Sequence, residues 1–159
     1  MALKEGDAAP GFTLKNTEGE EISLSDYKGD KNVLILFFPL AFTGVCTKEM
    51  CSTRDNLKEY ENLDAEILSI SVDSQFTLKE FKKANNLNFN LLSDFNKETA
   101  EKYGALYEDF LGLHGVAKRS AFVVNKDGEI KYAEVLENAG DLPDFDAIKD
   151  AISETVESA

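Results

Sequence analysis

Six apolar residues in a row, Val33-Leu34-Ile35-Leu36-Phe37-Phe38, are followed at once by Pro39. Side chains along a strand alternate between its two faces, so a strand with one wet face alternates apolar and polar residues. An unbroken apolar run belongs instead to a strand covered on both sides, inside a layered α/β sheet. Pro39 has no N–H to give to a sheet ladder, and it ends that strand. Thr43 then serves as a helix N-cap, which places Cys46 at the third helical position. The first N–H groups of a helix lack intrahelical partners, and the helix dipole favours negative charge beside them. A thiol placed there is drawn toward the thiolate. A buried, inert cysteine fits the same position equally well.

The remaining composition narrows the field. One domain, residues 1–159, is expected at this length, and 43% hydrophobic residues are enough for a real core. A net charge of −13 argues against nucleic acid and against anionic membranes as partners, since both require a basic stripe. The longest apolar run falls far short of the ~20 residues of a membrane helix. Met1–Asp7 has neither a basic region nor an apolar h-region, so a soluble cytoplasmic protein is expected. Cys46 and Cys51 form neither a CxxC pair nor half of a zinc site with a visible second half. Secreted disulfide frameworks use more cysteines. The single histidine, His114, sits in a loop with nothing to pair with and receives no role. No metal or cofactor is expected.

Periodicity orders the rest. Phe12–Leu14 and Ile22–Leu24 flank an Asn/Gly turn and read as a hairpin. A helix is predicted from Thr43 to about Leu63, with Cys46, Met50, Thr53, Leu57 and Tyr60 on its inward face and Glu49 off it. Glu66–Val72 alternates as a strand, and Phe76–Ala84 reads as a helix with Phe76, Glu80 and Ala84 on one line and Phe81 near it. Phe89–Leu92 is a short strand, Asn96–Tyr103 a short helix closed by Gly104, and Tyr107–Gly115 a loop. Ala121–Val124 and Ile130–Val135 form a second hairpin about Asn125–Gly128. Asp144 to about Glu157 is a terminal helix with Phe145, Ile148, Ile152 and Val156 as its apolar line. This order implies an α/β sandwich whose central sheet is parallel where βαβ units build it and antiparallel at the final hairpin, as a thioredoxin-like sheet requires.

A nucleophilic Cys46 would need a cation, an electrophile held in line, and donors for the leaving group. Thr43 can supply a hydroxyl three residues earlier, and Pro39 shapes the loop. Arg119, just before the strand Ala121–Val124, offers a guanidinium fork able to hold a sulfur and an oxygen together. On sequence alone Arg119 also reads as a solvated surface arginine. A free Glu49 would oppose a thiolate one turn away, so its useful role would be to orient an arginine; a solvated helix face suits it as well.

At this point the residues carry a resemblance. Pro39-Leu40-Ala41-Phe42-Thr43-Gly44-Val45-Cys46 resembles the peroxiredoxin motif Pro-x-x-x-Thr-x-x-Cys at every fixed position, and Glu49 falls where that family has a glutamate. Ile70–Ser74, Leu91–Asp94, Tyr103-Gly104 and Lys118–Val124 with Asp127-Gly128 are similar to further family segments. The resemblance implies a thioredoxin-like fold with an N-terminal β-hairpin extension and a mixed central sheet flanked by helices. It makes Cys46 the peroxidatic cysteine and Arg119 the residue that holds thiolate and peroxide, with Thr43, Pro39 and Glu49 in support. The activity implied is reduction of hydrogen peroxide and organic hydroperoxides through a sulfenic acid. Thioredoxin or a similar dithiol would recycle it, and the protein would be a monomer or homodimer.

The spacing of Cys46 and Cys51 resembles the peroxiredoxin Q branch, in which the second cysteine resolves the first. The later segments resemble the alkyl hydroperoxide reductase E branch, whose members often use one cysteine and an external thiol. Five residues along a helix make ~7.5 Å of rise and ~140° of turn. A disulfide needs Cα atoms ~4.4–6.8 Å apart. A resolving role for Cys51 therefore requires the first turns of the helix to unwind. A general disulfide oxidoreductase and a non-enzymatic binding or holdase module are the other classes this fold could serve.

Overall fold

The structure is a computed structural model that describes residues 3–138 and 140–157. The chain opens with a hairpin, β1 (Thr13–Asn16) and β2 (Glu21–Ser23), paired antiparallel with Leu14 opposite Ile22. A 3-10 turn, Leu24–Tyr27, leads to β3 (Asn32–Phe37), and Phe38 extends its ladder by one bond to the Ile70 carbonyl. Then follow α1 (Gly44–Asp55), α2 (Leu57–Asn62), β4 (Ala65–Ser71), α3 (Gln75–Ala84), β5 (Asn90–Ser93) and α4 (Glu98–Lys102). The chain continues through β6 (Leu106–Tyr107), β7 (Val116–Ala117), β8 (Ser120–Val124), β9 (Ile130–Val135) and α5 (Phe145–Glu157).

Seven strands form one sheet in the order β2-β1-β5-β4-β3-β8-β9. β3, β4 and β5 run parallel, while β8 and β9 join antiparallel, as the element order implied. The N-terminal hairpin adds to the other edge through β1 and β5. Alternation sorts the side chains cleanly. Leu34, Leu36 and Phe38 face Met50, Tyr60, Leu78, Phe81, Ile148 and Ile152 from the helices. Val33, Ile35 and Phe37 face the other way, onto Tyr103, Phe122, Ile130 and Phe12. Every residue of β3 is buried, which is why its sequence contains no polar alternation. Burial of each such side chain stabilises the fold by about 1.5–3 kcal/mol.

Three expectations change. The long helix is two helices, broken at Asn56, where φ is −103° and ψ is 8°. The Asn56 side-chain amide donates to the Ser52 carbonyl at 2.8 Å and Thr53 Oγ1 donates to the Glu49 carbonyl at 2.9 Å, so side chains compete for the backbone carbonyls. The buried face still carries Met50, Thr53 and Tyr60 across the break. In α3 the line of Phe76, Glu80 and Ala84 faces solvent, with Phe76 74% exposed, and Leu78 and Phe81 are the buried pair. The predicted loop Tyr107–Gly115 is closed at its base by pairing of β6 with β7. In α5, Ile148 and Ile152 are buried as expected and Phe145 is partly so, while the side chain of Val156 lies outside the described residues.

Candidate active site

The site lies where β3 ends and β8 begins. These strands are antiparallel neighbours with Phe37 opposite Ser120. Whatever follows β3 therefore meets whatever precedes β8, and Arg119 comes to Cys46 across 73 residues of chain. Cys46 stands at the third position of α1, as the sequence indicated. Arg119 Nη2 donates to Cys46 Sγ at 3.2 Å, and Arg119 Nη1 donates to Glu49 Oε1 at 2.6 Å. All three are buried: Cys46 and Glu49 are 0% exposed and Arg119 1%. The solvated positions open to Glu49 and Arg119 on sequence grounds are thus not the ones they occupy. Glu49 sits one turn after Cys46 on the same face, and Arg119, just before β8, pairs with it there.

Burial pushes the Glu49 carboxyl up to about 7, although Arg119 pulls it down by charge and by hydrogen bond. The Arg119 guanidinium is raised further above its usual range. Burial works against its charge, and the Glu49 and Cys46 anions outweigh that. Glu49 Oε2 is buried without a hydrogen-bond partner.

The loop before α1 is held from outside. The Ala41 N–H donates to Asp73 Oδ2 at 2.7 Å, and the Ser71 hydroxyl donates to the same oxygen at 2.8 Å. The Ser93 hydroxyl in turn donates to the Asp73 carbonyl at 2.6 Å. The ends of β4 and β5 thereby anchor the loop. Its next residue, Phe42, has φ of 64°, a left-handed conformation unusual for a bulky side chain. The Phe42 ring meets Phe81 of α3 edge-on at 5.2 Å between centroids. Sequence reasoning assigned no site role to Asp73 or Phe42. Asp73 stands in the sequence only within the segment Ile70–Ser74, and nothing in the sequence marks Phe42 as strained.

Thr43 has the extended backbone of an N-cap, and its carbonyl accepts the Thr47 N–H at 2.9 Å. Its side chain makes no capping bond; the hydroxyl donates to the Leu40 carbonyl at 2.7 Å. The first turn of α1 is thus left uncapped by side chains, with Gly44, Val45 and Cys46 lining a cleft. Thr43, Phe110 and the buried Pro39, Tyr107 and Arg119 line it as well. Tyr107 donates to the carbonyls of Leu136 and Glu137 at 3.3 and 3.2 Å, and its ring stacks on Phe110. The cleft thus presents a sulfur, a guanidinium and helix-start N–H groups together. Such an array suits an oxygen anion leaving from an attacked O–O bond.

Cys51 is not brought to this cluster. It is half-buried, and its thiol faces Asn85 Oδ1 at 3.7 Å beyond the end of α3. Arg54 donates to the Asn85 carbonyl at 2.6 Å from the same helix. Both cysteines are free thiols. Among the described residues, no group of three or more His, Cys, Asp or Glu could hold a metal ion. No described helix is long and apolar enough to cross a membrane.

Known proteins are similar to this chain over most of its length. Residues 5–133 match the AhpC/TSA family. Alkyl hydroperoxide reductase E of Mycobacterium tuberculosis is 39% identical over 153 residues, which cover 95% of this chain and 97% of that protein. Peroxiredoxin Bcp of Escherichia coli is 37% identical over 132 residues, 82% of this chain and 84% of that one. Among solved structures, the peroxidoxin BcpB of M. tuberculosis superposes with a TM-score of 0.82 at 29% identity, covering 98% of this chain and 97% of that one. The reduced 2-Cys peroxiredoxin of Plasmodium vivax gives 0.86 at 28% identity, covering 98% of each. A family match over most of the chain, relatives of this identity and one shared thioredoxin-like fold lead to one conclusion: the chain belongs to the AhpC/TSA family, the peroxiredoxins.

Proposed function

We propose that residues 1–159 form one catalytic domain that reduces hydrogen peroxide and organic hydroperoxides in the cytoplasm at the expense of thiols. Cys46, as thiolate, attacks the distal peroxide oxygen. An S–O bond forms, the O–O bond breaks, and Cys46 becomes a sulfenic acid while an alkoxide or hydroxide departs. Arg119 and the N–H groups at the start of α1 hold the peroxide and receive the developing negative charge. The Thr43 hydroxyl, on the wall of the same cleft, accepts a hydrogen bond from the peroxide O–H, and Pro39 shields the pocket. Glu49 keeps the guanidinium in place. The observation that carries this reading is the fork of Arg119, which grips Cys46 Sγ at 3.2 Å and Glu49 Oε1 at 2.6 Å in a buried cluster.

Cys51 resolves the sulfenic acid. Cys46 is fully buried and Cys51 is turned to Asn85, so the first turns of α1 unwind before the two sulfurs meet. The disulfide is then exposed, and thioredoxin or a similar dithiol restores both thiols by exchange. A second reading keeps the peroxidase and drops the resolver: an external thiol attacks the sulfenic acid directly. The bond of Cys51 to Asn85, away from the cleft, favours that reading.

Steady-state peroxide consumption with thioredoxin, compared between wild type and Cys51→Ser, tests both. Turnover lost in Cys46→Ser and retained in wild type is expected, and unchanged turnover in Cys46→Ser removes the peroxidase reading. Mass spectrometry after one equivalent of peroxide separates the two resolving routes. A Cys46–Cys51 disulfide supports the first, whereas a lasting sulfenic acid with free Cys51 leaves only the second.

A further inference from the structure

The cluster beneath the cleft holds one permanent cation and two groups able to become anions. Arg119 is the cation; Cys46 and Glu49 are the acids. Among the described residues, other ionisable groups do not change the count. Tyr60 of α2 lies within electrostatic reach of Glu49, and Tyr107 of β6 within reach of Cys46 and Arg119. Burial raises both phenols, so both stay neutral near pH 7. From α5, Asp146 acts on Tyr60, and Lys149 lies over the Tyr60 ring at 5.7 Å while paired with Glu59. Among the described residues, Arg119 is the salt-bridge partner of Glu49.

With Cys46 as thiolate and Glu49 ionised, the pocket would carry a net negative charge out of contact with water. Such a charge is costly in a low-dielectric interior, and interacting acids there titrate as a unit. The structure offers a place for the missing proton. Glu49 Oε1 already accepts from Arg119, while Oε2 is buried with no partner.

We propose that Glu49 is a positioning residue that holds a proton while Cys46 is a thiolate and releases it when Cys46 becomes a sulfenic acid. The inference rests on the peroxidase reading above. The step balances as thiolate plus protonated Glu49 plus ROOH giving sulfenic acid plus Glu49 carboxylate plus ROH. Sulfur is oxidised by two electrons, the O–O bond accepts them, and the proton Glu49 gives up balances the one that completes the leaving alkoxide. Arg119 then has one anion to match in either state. It serves the thiolate and the peroxide first, and the Glu49 carboxylate afterwards. The ordinary range of a buried Glu49, pushed up to about 7, puts this exchange within reach at neutral pH.

The test is infrared difference spectroscopy of the full reduced chain before and after one equivalent of hydrogen peroxide at pH 7. Proton uptake is read in parallel with a dye in weak buffer, and oxidation is confirmed by mass. The expected result is a carboxylic-acid carbonyl band that disappears on oxidation, moves with ¹³C-labelled glutamate and is absent in Glu49→Gln. Wild type should take up fewer solvent protons per peroxide than Glu49→Gln, by up to one per chain. Complete oxidation with no carboxyl change, and equal proton uptake in both chains, overturns the proposal and leaves the peroxidase reading standing. Masses that show no oxidation of Cys46 bring down both. Should Glu49→Gln fail to fold, the labelled wild-type spectrum decides alone.

Discussion

Replacing Arg119 with lysine keeps the charge and removes the fork. In the wild type two arms of one rigid plane are in use, Nη2 on Cys46 Sγ at 3.2 Å and Nη1 on Glu49 Oε1 at 2.6 Å. An ammonium is a point charge on a flexible stem and cannot present two donors in that fixed geometry. In Arg119→Lys it settles on the Glu49 carboxyl or on the sulfur, and the other loses a hydrogen bond to a charged donor worth about 1.5–3 kcal/mol. Loss of one preorganised donor from a site closed to water lowers turnover about 10²–10³-fold, about 3–4 kcal/mol. The expected result is a fall of about 10²-fold or more in kcat/KM for hydrogen peroxide, read as peroxide consumption with thioredoxin and as the rate of sulfenic-acid trapping. The melting temperature, measured in the same buffer, checks that the variant is folded. A folded Arg119→Lys chain whose kcat/KM stays within about threefold of wild type would refute the argument from the fork. Arg119→Met sharpens the comparison. It leaves Glu49 buried and unpaired, and because Arg119 pulls that carboxyl down, its removal lifts the carboxyl further. The loss of stability is larger at pH 8 than at pH 5, where Glu49 is neutral in both chains.

Further outcomes follow from the surroundings of the cluster. The Glu49 carboxyl is raised from 4.5 to about 7 in the fold, so its contribution to stability is fully present below pH 4.5 and is lost as pH rises through 7. That loss is on the order of 3 kcal/mol; Glu49→Gln should flatten it in urea unfolding at pH 5 and pH 8 under reducing conditions, and equal pH dependence in both chains would contradict it. Asp73→Ala removes the acceptor of the Ala41 N–H and of the Ser71 hydroxyl. It should cost about 1.5–3 kcal/mol by urea unfolding and slow oxidation of Cys46, and an unchanged oxidation rate would separate the loop from the chemistry. Phe81→Ala empties a buried site against Phe38 and frees the strained Phe42. A loss of about 3–5 kcal/mol is expected, with a slower peroxide reaction; a drop in stability alone would show that Phe42 needs no such support.

Local pattern carried a large part of this protein on its own. An unbroken apolar run must be a strand buried on both faces, and β3 is one, feeding two cores through alternate side chains. Pro39 and Thr43 placed Cys46 at the start of a helix by short-range chemistry alone. The hairpins and most helix faces were legible for the same reason, since they depend on neighbours a few residues apart. Where side chains override backbone pattern, the reading failed. Asn56 and Thr53 bond to carbonyls one turn back and break a helix that the apolar spacing continues through. In α3, the line of Phe76, Glu80 and Ala84 is exposed, and burial falls on Phe81 beside it and on Leu78, which meet the sheet.

The candidate site needed the tertiary structure for a different reason. Glu49 alone is a charged helix residue, and charges go to solvent unless something distant pairs with them. Arg119 alone is a basic residue at the start of a strand. Motif resemblance could associate them with Cys46, but their burial follows from the antiparallel register of β3 and β8, which brings a cation 70 residues away onto one turn of α1. Asp73 acquires its hold on Ala41 in the same way, because β4 is parallel to β3 and ends beside it. Element type is written in neighbouring residues. The pairing of charges is decided by which strand ends meet, and in this chain that meeting converts a carboxylate, a guanidinium and a thiol into one electrostatic unit.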